Sequence, residues 1–107
     1  IRKRVKGMDV EVSFDNSNQY IQVKGDLTSK TVMSALKQFS RECKTLPKWV
    51  IDFTQVTKVD SSAIAMLIEL KRNALKNKKS ISFIYLPAAL LKIARLSQVE
   101  DLLKEKP

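Results

Sequence analysis

Residues 49–68 read Trp-Val-Ile-Asp-Phe-Thr-Gln-Val-Thr-Lys-Val-Asp-Ser-Ser-Ala-Ile-Ala-Met-Leu-Ile and carry the clearest structural pattern in the chain. Trp49–Phe53 is an apolar run with one acid, which is typical of a central strand covered on both faces. Thr54–Val59 reads as a polar connection. Residues 60–62 then open a helix that we expect to run to about Lys76.

A strand predicted over Ser80–Leu86 follows this helix, because Ile81, Phe83 and Tyr85 alternate with other residues. A strand, a helix and a second strand in succession imply a parallel strand pair with a right-handed crossover. Pro87 suits the first turn of a further helix, and the apolar residues near the C-terminus suggest a short final one. The apolar positions of these two helices are Leu90, Ile93, Ala94, Val99, Leu102 and Leu103.

Upstream, alternation in residues 9–14 and again in Tyr20–Lys24 predicts two strands around a polar turn, hence an antiparallel hairpin. The loop at Gly25–Thr28 breaks the second strand, and Thr28 or Ser29 is placed to cap a helix that extends to Cys43. Cys43 and Trp49 are expected in the core. The chain is therefore predicted to be an α/β sandwich, in which a mixed four-stranded sheet packs against about four helices.

Composition excludes several classes of function. The 107 residues include no histidine, one cysteine and two glycines, so no Ser-His-Asp or Cys-His nucleophile, disulfide, dinucleotide-binding glycine motif or P-loop exists in this sequence. No apolar run approaches the ~20 residues that span a bilayer. Residues 1–7 are predicted to be a basic leader or a remnant foreign to the domain, and residues 8–107 a single domain. We expect a chain without catalytic activity, cofactor or metal.

An apolar strand ending in Asp-Phe-Thr, followed by Val-Asp-Ser-Ser and a small-residue helix start, resembles the STAS domain family. The resemblance is most specific over Asp52–Leu67 and is reinforced by Leu91–Leu103. It implies a STAS-type sandwich. The family includes bacterial anti-sigma factor antagonists, tails of anion transporters and a small cytosolic subunit of Mla-type phospholipid ABC transporters.

The resemblance also implies a site at the start of the second helix. Ser61 matches the phosphoacceptor of the antagonists, and a helix N-terminus tolerates the charge of a phosphate. Asp60 and Ser62 flank Ser61. We expect a partner to contact these residues, together with Thr28 and Thr31 on the neighbouring helix. Ile64 is a further candidate contact, and a core position is the equal alternative for it. Where family members usually have glycine, this chain has Ala63, whose methyl group is expected to limit the approach of a partner.

Two functions follow from the resemblance and both stay open. Residues 54–68, and Ile-Ala-Arg-Leu-Ser-Gln-Val at 93–99, are more similar to the Mla-type subunit. That resemblance implies a cytoplasmic protein that binds the ABC transporter ATPase, supports lipid asymmetry of a Gram-negative outer membrane and meets the inner membrane only through its partner. No nucleic acid or small-molecule substrate is expected. The alternative is an anti-sigma factor antagonist controlled by phosphorylation of Ser61.

Two other features are interpreted structurally. The basic run at the end of the second helix is interpreted as a solvent-exposed helix terminus. The functional alternative is that these residues contact an anionic membrane or nucleic acid. This run comprises Lys71, Arg72, Lys76, Lys78 and Lys79. Asp52 and Asp60 are expected to be neighbours in space, where paired carboxylates could serve acid-base chemistry or bind magnesium, but capping roles are favoured.

Overall fold

The computed structural model describes residues 9–101. Within this range the chain forms four strands and three α-helices, and Glu100 and Asp101 are also helical. The elements, in chain order, are β1 (Val10–Asp15), β2 (Tyr20–Leu27), α1 (Val32–Cys43), β3 (Lys48–Val59), α2 (Ser61–Lys76), β4 (Ser80–Ile84) and α3 (Ala88–Leu96). None of the described helices is long and apolar enough to cross a membrane.

The strands form one mixed sheet in the order β1-β2-β3-β4. β1 and β2 pair in antiparallel fashion around a turn that is held by the Asp15 carboxylate, which accepts hydrogen bonds from the backbone and hydroxyl of Ser17. β3 is parallel to both β2 and β4. The predicted antiparallel hairpin and parallel pair are therefore confirmed.

The core lies on one face of this sheet. Val12 pairs with Val23, and Ile51 pairs with Phe83, so their apolar side chains share a face. On this face α1 packs against β1 and β2, α2 packs against β3 and β4, and α3 packs against α2. Cys43 and Trp49 are buried as predicted, and the Trp49 indole Nε1 donates to the Cys43 and Leu46 carbonyl oxygens at 3.2 Å each.

The connection predicted over Thr54–Val59 is wrong, because β3 continues through it. Gln55, Val56 and Val59 pair with β2, and the β-branched residues of this segment suit an extended backbone. The polar side chains of this segment are present because the strand is exposed there, and they do not mark a loop. The break predicted at Gly25 is likewise a bulge within β2.

Gly25 has φ +110°, and a Cβ there would lie 2.4 Å from the Asp9 carbonyl oxygen. The close approach of β1 therefore requires glycine at this position.

Two smaller predictions differ from the structure, and a third lies partly outside the described residues. β4 ends at Ile84 rather than Leu86, because Tyr85 has φ +57°, which is outside the extended region, and Pro87 is already the N-cap of α3. α1 begins at Val32, beyond the capping positions expected at Thr28 and Ser29. Of the final helix, only the turn starting at Glu100 is described, and Leu102 and Leu103 lie outside the described residues, as do residues 1–7.

Candidate functional site

The predicted site residues converge where β2 and β3 end. Leu27 pairs with Val59, and the Asp60 N–H donates to the Leu27 carbonyl oxygen at 3.2 Å. The loop before α1 therefore lies beside the first turn of α2. We call residues 28–31 and 60–62 the serine end of the molecule.

Asp60 holds the serine end together. Its Oδ1 accepts a hydrogen bond from the Ser62 N–H at 2.8 Å, and its Oδ2 accepts one from the Ser29 N–H at 3.0 Å. One carboxylate thus caps α2 and fixes the neighbouring loop across 31 positions of sequence. Asp60, rather than Ser61, is the N-cap residue of α2.

Ser61 is the first residue of α2, and its side chain is exposed. Ser61 therefore lies at the start of the second helix, as the sequence predicts. The first turn of α2 itself carries no acidic side chain, and the N-terminus of the helix is capped by the carboxylate of the preceding residue, Asp60. Asp60 accepts hydrogen bonds from the Ser29 and Ser62 N–H groups and so orders the backbone around Ser61. The exposed Ser61 hydroxyl therefore lies on an ordered surface.

Thr31 and Ile64 are buried, so neither side chain is available for the expected partner contact, and of the two alternatives for Ile64 the structure shows the core position. Thr31 has 1% of its surface exposed, and its hydroxyl donates to the Asp26 carbonyl oxygen at 2.7 Å while accepting from the Thr28 N–H at 2.9 Å. Ile64 is 6% exposed and belongs to the core cluster. Both side chains therefore lie beneath the surface of the serine end, whereas Thr28 is half-buried at that surface.

Ala63 is also a core residue. It is fully buried in the hydrophobic cluster, so its methyl group faces the protein interior. The expectation that this methyl limits the approach of a partner is therefore wrong. The exposed positions in the first turns of α2 are Ser61 and Ala65, and their small side chains leave the helix surface open.

Asp26 is a part of the site that the sequence analysis missed. It is 5% exposed, and one carboxylate oxygen accepts a hydrogen bond from the Thr57 hydroxyl. The other oxygen, Oδ2, is buried with no hydrogen-bond partner among the described residues. An acid between Gly25 and Leu27, at the end of an alternating strand, was the available signal. The bond to Thr57 ties the end of β2 to that of β3.

The structure separates the two carboxylates that were expected to be neighbours. Asp52 lies within β3 and accepts hydrogen bonds from the backbone and hydroxyl of Thr54, while Asp60 follows the end of that strand. Eight residues of extended chain place them roughly 25 Å apart.

Burial raises the pKa of the Cys43 thiol to about 12, and Glu42 adds to the shift. This thiol is therefore protonated at neutral pH and is a poor nucleophile.

Comparisons with known proteins concern the family and the fold of the chain. A family model described as the Mlab, STAS domain matches residues 10–104. The structure of the anti-sigma factor antagonist SpoIIAA in its unphosphorylated form is similar with a TM-score of 0.60 and 11% identity, over 82% of this chain and 83% of that chain. The similarity at this identity concerns the fold.

A second similar structure is an uncharacterized DUF3478-family protein with a SpoIIAA-like fold from Shewanella loihica PV-4. It has a TM-score of 0.46 and 15% identity, over 92% of this chain and 82% of that chain. No curated protein matches the sequence. The family match covers nearly all of the described residues, and the chain belongs to the STAS domain family.

Proposed function

We propose that the chain is a non-catalytic STAS subunit that binds the ATPase of an Mla-type phospholipid ABC transporter. In this role it works in the cytoplasm at the inner membrane and supports the transport that maintains outer-membrane lipid asymmetry. The description of the matching family model supports this choice among STAS functions. The serine end is the proposed contact surface.

The observation that carries the proposal is the fixed, exposed first turn of α2. Asp60 holds Ser61 and Ser62 beside Ser29 through two backbone hydrogen bonds, so the hydroxyl groups and small side chains there are ordered before a partner arrives. A preorganised surface loses little conformational entropy on binding. The partly buried hydrogen bond from the Thr57 hydroxyl to Asp26 also joins the ends of β2 and β3, which carry this surface.

Co-purification with the ATPase encoded beside the gene tests the proposal, using Ser61→Asp as the main variant. An added carboxylate at the first helical position stabilises α2 by about 0.3–1 kcal/mol, because the helix N-terminus favours negative charge. It also places charge in the proposed interface. We expect Ser61→Asp to reduce ATPase binding at least about tenfold, equivalent to 1.4 kcal/mol, while thermal unfolding shows no loss of stability.

Ser40→Asp is the matched control, because Ser40 is an exposed serine on α1, away from the start of α2. It should leave ATPase binding unchanged. Equal binding by wild type and Ser61→Asp would contradict the proposed contact surface. Failure of the wild-type chain to bind the ATPase would contradict the proposed function itself.

The exposed Ser61 hydroxyl also favours a second candidate, an anti-sigma factor antagonist controlled by phosphorylation. A phosphate adds about −1.5 to −2 charge, which the start of α2 accommodates. Incubation with a serine kinase encoded beside the gene, followed by mass spectrometry, separates the candidates. Stoichiometric phosphorylation that is lost in Ser61→Ala, together with binding to an anti-sigma factor, would favour this candidate over the transporter.

A further inference from the structure

The opposite end of the molecule gathers positive charge from two separate stretches. The Trp49 indole ties the end of α1 to the start of β3, and Lys48 of β3 is paired with Ser80 of β4. A turn of three residues joins Ser80 to the end of α2. Residues 44–48 and 71–80 therefore lie at one end of the sheet, and we call them the basic end.

The basic end contains seven Lys and Arg residues and no acidic residue. Arg72 pairs with Glu69 one turn earlier on α2, at 2.9 Å. Four of the lysines are exposed and form no ion pair with the described residues: Lys44, Lys48, Lys76 and Lys78. Cations complement the helix C-termini here, but two termini need fewer charges than this surface holds.

An apolar side chain stands among these charges. Leu75 is 82% exposed, whereas Leu67 and Leu70 on the same helix are buried. Arg72 lies three positions before Leu75 on α2, and the exposed Lys76 and Lys78 follow Leu75 in the chain. An exposed aliphatic group in a basic segment matches the boundary of an anionic bilayer, where headgroups carry negative charge and acyl chains lie beneath.

Lys78 occupies a position whose backbone conformation favours glycine. Its φ is +58°, and the turn is closed by hydrogen bonds from Lys78 N–H to the Leu75 carbonyl oxygen and from Lys79 N–H to the Ala74 carbonyl oxygen. Glycine is the usual residue at this position after a helix. Gln98 occupies the corresponding position after α3 with φ +59°, so it provides an uncharged comparison.

We propose that the basic end binds the surface of an anionic lipid bilayer directly, through its exposed lysines and Leu75. A lipid surface fits better than a nucleic acid, because residues 44–48 and 71–80 include no aromatic side chain on which bases would stack. This contact goes beyond the proposed binding of an ATPase and uses the opposite end of the molecule. It also goes beyond the expectation that the chain meets the membrane only through its partner.

Sedimentation with vesicles tests the proposal on the full chain. Vesicles of phosphatidylcholine alone are compared with vesicles in which phosphatidylglycerol replaces part of it, at low and at physiological salt. We expect binding to the anionic vesicles only, and weaker binding as salt rises, since the lysines are exposed. Each surface lysine contributes roughly fivefold to binding, so Lys48→Gln, Lys76→Gln and Lys78→Gln combined should weaken it on the order of 100-fold.

Two further variants separate a lipid contact from general attraction to charge. Leu75→Gln keeps every charge and should weaken vesicle binding several-fold, because an inserted aliphatic group is lost. The control combines Lys24→Gln, Lys37→Gln and Lys58→Gln, which removes three exposed lysines outside both ends and should change binding much less. The basic residues in positions 1–7 are present in every variant, so their contribution cancels in each ratio.

The proposal is overturned if the wild-type chain does not bind anionic vesicles, or if the basic-end triple variant and the control triple variant bind equally. Binding to a short DNA duplex, measured at the same salt, tests whether the basic end binds nucleic acid as well. If the basic-end variant loses DNA and vesicle binding alike while Leu75→Gln changes neither, the surface is a general polyanion site and not a lipid contact.

Discussion

At the serine end, one carboxylate joins a loop to a helix through two backbone hydrogen bonds, whereas at the basic end the exposed lysines make no ion pair with the described residues. A hydrogen-bonded surface has a fixed shape, which suits a protein partner of complementary shape. Charged groups on long, flexible side chains suit a partner that has no fixed shape, such as a lipid surface. The same small fold thus carries two kinds of binding surface at opposite ends of its strands.

Two apolar residues of α2 give the largest expected contrast between the ends. Ile64 lies in the core beneath the serine end, and Leu75 projects from the basic end. Ile64→Ala should lower the free energy of unfolding by about 3 kcal/mol through lost burial and a cavity. Leu75→Ala should change it by less than about 0.5 kcal/mol. Urea denaturation measures both, and equal values would show that the burial assigned to Ile64 is wrong.

Removal of the Asp60 carboxylate tests the link that orders the serine end. Asp60→Ala removes the cap of α2 and the bond to the Ser29 N–H, so we expect a loss of about 1–2 kcal/mol in the free energy of unfolding. Asp60→Asn keeps one carbonyl acceptor and should lose less. Hydrogen exchange of the Ser29 and Ser62 amides should accelerate in Asp60→Ala. Unchanged exchange at Ser29 would argue against the bridge between loop and helix.

Cys43 at the end of α1 provides a dependence on alkaline pH. Burial raises the pKa of its thiol from 9.0 to about 12. The unfolded chain therefore loses this proton first, and stability present below pH 9 declines as the pH rises towards the folded pKa. Near pH 10 the wild type should have lost about 1 kcal/mol more than Cys43→Ala, each relative to its own value at neutral pH. Parallel pH profiles of the two proteins would contradict the burial of the thiol.

The smallest expected effect concerns the left-handed residues after α2 and α3. Lys78→Gly and Gln98→Gly should each raise the free energy of unfolding by about 0.5–1 kcal/mol, because glycine adopts positive φ without strain. Only Lys78→Gly should weaken binding to anionic vesicles. A stabilised Lys78→Gly protein that binds vesicles as well as Gln98→Gly would remove Lys78 from the lipid contact.

Local patterns predicted most of the fold. The apolar run at Trp49–Phe53 and the cap at Asp60 mark a strand and a helix start by residue type alone, and both are present. The second half of β3 was missed because its strand character comes from pairing with β2, which is a long-range contact. A bulge at Gly25 concealed the matching end of β2 for the same reason. Alternation along one strand does not reveal which strand lies beside it.

For the residues of the candidate site, the sequence predicted the place in the helix better than the burial. Asp60 and Ser61 carry local capping and helix-start signals, so residue type was sufficient. The start of α2 is apolar nearly all round, so periodicity did not distinguish buried Ile64 from an exposed residue. Thr31 and Asp26 are buried through contacts with each other's segment and with Thr57 on β3. These contacts exist only once the two strand ends are adjacent.

Binding of the same variants to both proposed partners tests the separation of the two ends most directly. Purified ATPase and anionic vesicles are titrated with wild type, with Ser61→Asp, and with the triple variant of Lys48, Lys76 and Lys78 to Gln. The account predicts that Ser61→Asp loses ATPase binding and keeps vesicle binding, while the lysine variant does the reverse. If either variant loses both activities while remaining folded, the two ends do not act as separate surfaces and the account is contradicted.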